Sequence, residues 1–358
     1  MTRSEERLEP APEERLDALR EEARRTGSVG GAGTRAAGGP MPPLAADDDA
    51  PGYYGRPIVK PPVWTWEIPL YFFFGGLAGM AAAIALAAHV AGLAGGTGLA
   101  GGAEVAAESR GLVRAALWLA FAFGAVLSPI LLVMDLGRPS RFLNMLRVFK
   151  LRSPMSVGAW ILFLFGGAVT AALALTEWTV RYDAGPIVHA LQTAAIAAAG
   201  LLGPALATYT GVLLGATAIP VWFAHHRGLP IHFGVAGLGS AAAALELIGF
   251  GLPALHLIGF VAAGVETLFG AWIELRRHGA VDRALREGGP ALLLRGSGLL
   301  AGPASLVLRL VGLVPWAALA FLAGALVSRY GWLAAGRASG RDPEATLEAQ
   351  ETRQAAFS

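Results

Sequence analysis

Glu67 and Tyr71 stand four residues apart in the stretch WEIPLYFFFGGLAG, Trp66 to Gly79. On a helix that spacing is about one turn, so the carboxylate and the phenol can face one cavity. The stretch is otherwise apolar, and simple anchoring in lipid needs neither group. A carboxylate at such an edge can accept a proton, and a tyrosine beside it can hydrogen-bond an oxygen. Asp135 closes the next apolar run, at the head of DLGRPSRFLNMLRVFKLRSPMSVGAW, where Gly137 and Pro139 end a helix. With Arg138 and Arg141 behind it, Asp135 has two readings. It forms an ion pair that fixes the loop against the helix ends, or with Arg138 it shapes one wall of a polar pocket at the membrane edge.

A second polar set lies inside apolar runs. His89, Glu177, His189, Glu246 and His256 fall toward the side opposite Glu67, and Glu266 lies near the middle of its run. Ionisable residues within a membrane are functional candidates by default, and such a chain could conduct protons. The competing reading is ordinary: several sit within a turn or two of a helix end and reach water there. Gly75 and Gly79 form a GxxxG pair that permits close helix approach. GGTGLAGG, Gly95 to Gly102, lacks the Lys-Ser/Thr and the preceding strand of a phosphate loop, so it reads as a connecting loop.

The elements that must position these residues follow from composition. The chain has 358 residues, of which 54% are hydrophobic and 15% charged, with a mean hydropathy of +0.53. That is too apolar for a soluble globule and too long for a simple anchor, so it reads as a polytopic helical membrane protein. About 20 apolar residues cross a bilayer core, and the helix satisfies its own backbone in lipid. Spans are expected near 69–93, 111–134, 157–178, 186–219, 231–250, 252–275, 291–311 and 314–335. The predicted fold is all-α, eight transmembrane helices arranged as two packed four-helix bundles. The fourth run contains Gly200, Gly203 and Pro204, and reads either as one kinked helix or as an interfacial helix plus a span. The seventh is weak, because Arg295 and Arg309 flank a Gly-rich run.

Basic residues support the count. With eight spans, one side collects Arg56, Lys60, Arg138, Arg141, Arg147, Lys150, Arg152, Arg227, Arg276, Arg277, Arg283, Arg286, Arg337 and Arg341. The other receives little beyond Arg110, Arg114 and Arg181. The bias predicts both termini in the cytoplasm, although a basic loop can also dock an acidic partner or anionic headgroups. Most tryptophans fall near predicted helix ends and read as interface anchors, with Trp66 and Trp222 the candidate exceptions. Residues 1–62 form a hydrophilic extension, including Asp47–Asp49, that buries too little apolar surface to fold alone. It reads as a tail or as a docking segment, and no apolar signal region is expected within it. The transmembrane domain is expected over 63–336, followed by a polar tail over 337–358.

No basic patch carries interleaved aromatics, so nucleic acid is not an expected partner. There are no cysteines, which excludes disulfides and an iron–sulfur cluster held by this chain's own thiolates.

Trp66-Glu67 with PLYFFFGGLAG, then Asp135 to Trp160, then Tyr209-Thr210-Gly211 with Pro220-Val221-Trp222 behind it, resembles the NrfD/PsrC family of integral membrane quinol-oxidoreductase subunits. The resemblance covers about residues 63–250. It implies a subunit without haem or cluster that binds menaquinone or ubiquinone near one membrane face. It also implies a ferredoxin-like [4Fe–4S] partner that exchanges the electrons, and behind it a molybdopterin-type or other catalytic subunit. Tyr71 stands where some members place a quinone-bonding histidine, and Tyr209 matches another pocket-lining position. Ile68 stands where some members have an asparagine, so Glu67 would have to supply the missing bond. On this reading Glu67 and Asp135 handle protons, Tyr71 and Tyr209 orient the headgroup, and Trp222 is an apolar wall. Two rivals stand beside it: a b-haem quinol-oxidising anchor, which needs paired histidines, and a transporter or proton channel, which favours a midplane site and inverted repeats.

Overall fold

The computed structural model describes residues 58–96, 102–136, 146–275 and 279–357. The expectations for residues 1–57, the 97–101 loop, Arg138, Arg141, Arg276 and Arg277 lie outside the described residues. Within them the chain is all-helical, and eight helices are long and apolar enough to cross a membrane. These spans are Glu67–Leu93, Ala107–Asp135, Pro154–Arg181, Pro186–Gly215, Gly228–Ile248, Pro253–Leu275, Gly288–Leu310 and Val314–Arg341. The protein is therefore a multi-pass membrane protein. Leu201, Leu257, Leu268 and Phe163 stand exposed along the spans, where hydrocarbon covers them at no solvation cost.

Spans one to four pack together and spans five to eight form a second group, with the first and fifth spans at the seam. The first span is the most buried of the eight. It crosses the fourth where Gly79 meets Gly203: a Cβ on either would fall onto the carbonyl of the other. Two facing glycines let the backbones touch, the device by which helices associate in lipid. Gly79 of the expected pair makes this contact, while Gly75 only meets the Tyr71 ring and the Ser128 hydroxyl at ordinary distance.

Local chemistry sets the ends. Ser153 caps the third span by accepting from the Ser156 N–H, with Pro154 in the first turn. Gly249 adopts φ 114°, and closes the fifth in a left-handed cap. The fourth span is one helix of 30 residues with Pro204 inside it, where the Thr208 hydroxyl donates to the Pro204 carbonyl at 2.8 Å. It stops at Gly215, and Pro220–Ala224 forms a separate short helix. The second span carries a π turn at Phe121–Leu127, and the seventh another at Leu300–Ala304, which contains Pro303 and a non-helical Gly302.

Two expectations change at the C-terminal end. The eighth span continues to Arg341, and Pro343–Phe357 is a further helix begun by Asp342, whose carboxylate accepts from the Glu344 and Ala345 N–H groups. Glu348 accepts from the Ala280 N–H at 2.6 Å, so the polar segment folds back onto the loop before the seventh span. Trp332, expected to anchor an interface, is fully buried inside the second group of spans against His232 and Phe269, with Trp222 donating its indole N–H to the Trp332 carbonyl at 2.8 Å.

Candidate functional site

The face on which the first span begins, face A, also holds Asp135, Pro154, Gly215, Leu275 and Arg341 by alternation of the spans. At this edge Glu67 and Asp135 come together through a residue that sequence reasoning missed. The Thr65 hydroxyl bonds the Glu67 carboxylate and lies 3.1 Å from Asp135 Oδ1. The residues before the first span are held against the eighth. Arg337 donates to the Trp64 carbonyl at 2.9 Å and the Tyr330 hydroxyl to the Trp66 carbonyl at 3.1 Å. Thr65 is thus fixed from a helix more than 260 residues away in sequence, and no local pattern announces it.

One turn inward, Tyr71 is buried and its hydroxyl is hydrogen-bonded to that of Tyr209. The pairing joins the first and fourth spans. Tyr209 has room because the third span presents Gly158: a Cβ there would overlap the Tyr209 ring. Ile68 is buried beside Tyr71 in the same core. Trp222 is also fully buried, and stacks on Trp64 at 5.5 Å, with Trp64 meeting Phe72 edge-on at 6.1 Å. It therefore sits behind the Tyr71 turn, one aromatic layer away from it. The set combines two carboxylates sharing a hydroxyl at the water edge with two phenols just inside. Such a set can exchange protons with water and present hydrogen bonds to an oxygen.

The second polar set falls into separate groups. Glu177 is bound by Arg114 at 2.6 Å, Arg181 at 2.7 Å and the Trp118 indole N–H at 2.9 Å. Glu246 accepts two bonds of 2.8 Å from Arg309, and His256 Nδ1 lies 2.9 Å from it. His89 bonds the Thr193 hydroxyl at 3.0 Å, and His189 is exposed. Glu266 is buried against His232, which sequence reasoning passed over. His232 Nδ1 lies 3.1 Å from Glu266 Oε1 and its Nε2 lies 2.9 Å from the Ser328 hydroxyl. Arg329 is buried next to Ser328 in the sequence. Its guanidinium sits 3.9 Å over the Phe233 ring and donates to the Phe233 carbonyl at 3.2 Å. A histidine and an arginine inside apolar runs were the available signals for this network.

Among the described residues, no cluster of three or more His, Cys, Asp or Glu could hold a metal ion. No curated relative matches the chain in sequence. The family profile described as "Polysulphide reductase, NrfD" matches residues 58–252, which include Glu67, Tyr71, Asp135 and Tyr209. That match takes in more than half of the chain and the whole of its first five spans, and the chain therefore belongs to the NrfD family, whose members are integral membrane subunits of respiratory redox complexes.

Proposed function

We propose that the chain binds a quinone or quinol at face A and exchanges electrons with a ferredoxin-like [4Fe–4S] partner subunit, itself serving a molybdopterin-type or other catalytic subunit. The observation that carries this reading is the pair of carboxylates joined through Thr65 one turn outside the Tyr71–Tyr209 pair. Oxidising a hydroquinone releases two electrons and two protons. The electrons pass to the partner's cluster, and the protons need an acceptor in contact with water. Glu67 and Asp135 stand at that boundary. A hydroxyl has only one hydrogen to donate, so Thr65 can bond both groups at once only when one carboxyl, protonated, donates to it and the other accepts from it. The bridge suits a pair that holds one proton in transit.

The tyrosines supply the orienting bonds: the quinone oxygen takes one hydroxyl in place of the bond they make to each other. Ile68 contributes apolar surface, Trp222 backs it through Trp64, and the role given to Arg138 beside Asp135 rests on the sequence alone. The basic bias of the face A loops supports an orientation with face A and both termini in the cytoplasm, and the chain in the cytoplasmic membrane. In reverse, the same groups return protons to a quinone being reduced.

The test is turnover of the purified complex with a quinol substrate. Glu67→Gln and Tyr71→Phe are expected to lower quinone-linked turnover while the iron–sulfur partner still co-purifies. Wild-type turnover in both variants would remove these residues from the mechanism.

A further inference from the structure

The second bundle contains a cavity of about 410 Å³ that the face A site does not use. Its size lies within the roughly 300–1,000 Å³ of small-molecule sites. Its origin is the break in the seventh span. At Leu300–Ala304 the helix bends around Pro303 and the non-helical Gly302. On the face A side of the bend, Gly288–Leu299 packs against the eighth span and meets the sixth mainly at the bend itself. The sixth and seventh spans part below the kink, and the gap between them is the cavity.

Three features of this gap point to an occupant. First, Gly270 on the sixth span and Gly298 on the seventh both line it, and a Cβ on either would meet nothing within 4 Å. Second, the inner wall is polar and flat. His232 lies parallel to Phe269, with centroids 4.5 Å apart and planes 9° apart, and it bonds Glu266 and Ser328 while all four line the cavity. Third, the remaining wall is predominantly apolar, and the surrounding surface is lipid-facing: Leu268, Leu292 and Leu299 are among the most exposed large residues of these spans. Glu274 and Arg295, paired at 2.7 Å, tie the two helices together nearer face A. The accessible direction is therefore sideways, from the bilayer.

We infer that this cavity is a second ligand site, which takes a membrane-soluble molecule with a flat ring head bearing a hydrogen-bonding oxygen. The ring stacks against the His232–Phe269 layer, its oxygen bonds the His232–Glu266–Ser328 group, and its apolar tail leaves between the sixth and seventh spans. An acyl chain of a phospholipid would gain nothing from a hydrogen-bonding wall, and its charged headgroup has no counterpart at the inner end. The inference does not depend on the face A reading, since the two sites share no residue.

The test uses the full chain in phosphatidylglycerol nanodiscs, with 2,3-dimethyl-1,4-naphthoquinone as probe and equilibrium dialysis as readout. Gly298→Phe and Gly270→Phe each place a ring in the cavity, and either one suffices if the other fails to fold. The expected result is loss of one bound probe per chain in each variant, with probe density over His232 in a cryo-EM structure of the wild type. Tyr71→Phe in the same assay reports on the face A site separately, so failure of one site leaves the other readable. Unchanged probe binding in the Gly variants would overturn the inference. So would a phospholipid that co-purifies with the wild type, is absent from Gly298→Phe, and is not displaced by the probe.

Discussion

Replacing Thr65 by valine keeps the side-chain shape and removes the hydroxyl that joins Glu67 to Asp135. A hydrogen bond to a charged group contributes about 1.5–3 kcal/mol. Thr65 is exposed, so water competes for both carboxylates and the lower end applies. If the bridge acts on the proton-transfer step, a loss of about 1.4 kcal/mol slows that step about tenfold. The expected result is therefore a drop of about one order of magnitude in quinol-linked turnover for Thr65→Val, with normal co-purification of the iron–sulfur partner. Thr65→Ser, which restores the hydroxyl without the methyl, should recover most of the rate. The assay is steady-state turnover of the purified complex, with size-exclusion profiles as the check on assembly. Turnover within about twofold of wild type for Thr65→Val would refute the role given to the bridge. Equal losses in the Val and Ser variants would show that the methyl, and not the hydroxyl, matters.

Arg309→Met leaves the Glu246 carboxylate, whose side chain is only 2% exposed, without its two bonds, and is expected to cost about 3–5 kcal/mol. Thermal unfolding in detergent measures this, and the double variant with Glu246→Leu should regain most of the loss; equal stability of the single and double variants would contradict it. Gly158→Ala puts a methyl into the Tyr209 ring, so it should destabilise the protein by about 1–3 kcal/mol and lower turnover by displacing the phenol from Tyr71. A variant with native unfolding temperature and native turnover would show that the ring has room to move.

The spans were legible because crossing a bilayer demands about 20 apolar residues whatever they pack against. The break at Pro303 was legible only as a weak seventh span, since the parting of two helices depends on what each rests upon. Trp332 shows the same limit: tryptophan near a predicted helix end suits an interface, yet the eighth span turns it inward against His232 and Phe269 and buries it.

By itself the sequence determined the class of the protein, the number of spans, the face on which Glu67, Tyr71 and Asp135 lie, and the family. Each follows from local quantities: apolar length, helical spacing, charge between spans, and motif order. Only the tertiary structure decided which groups share a bond. Thr65 bridges Glu67 to Asp135 across 70 residues, and His232 meets Glu266 and Ser328 across 34 and 96. Those pairings depend on the angle and depth at which helices cross. Facing glycines such as Gly79 and Gly203 set that geometry, and it exists only once both helices are in place.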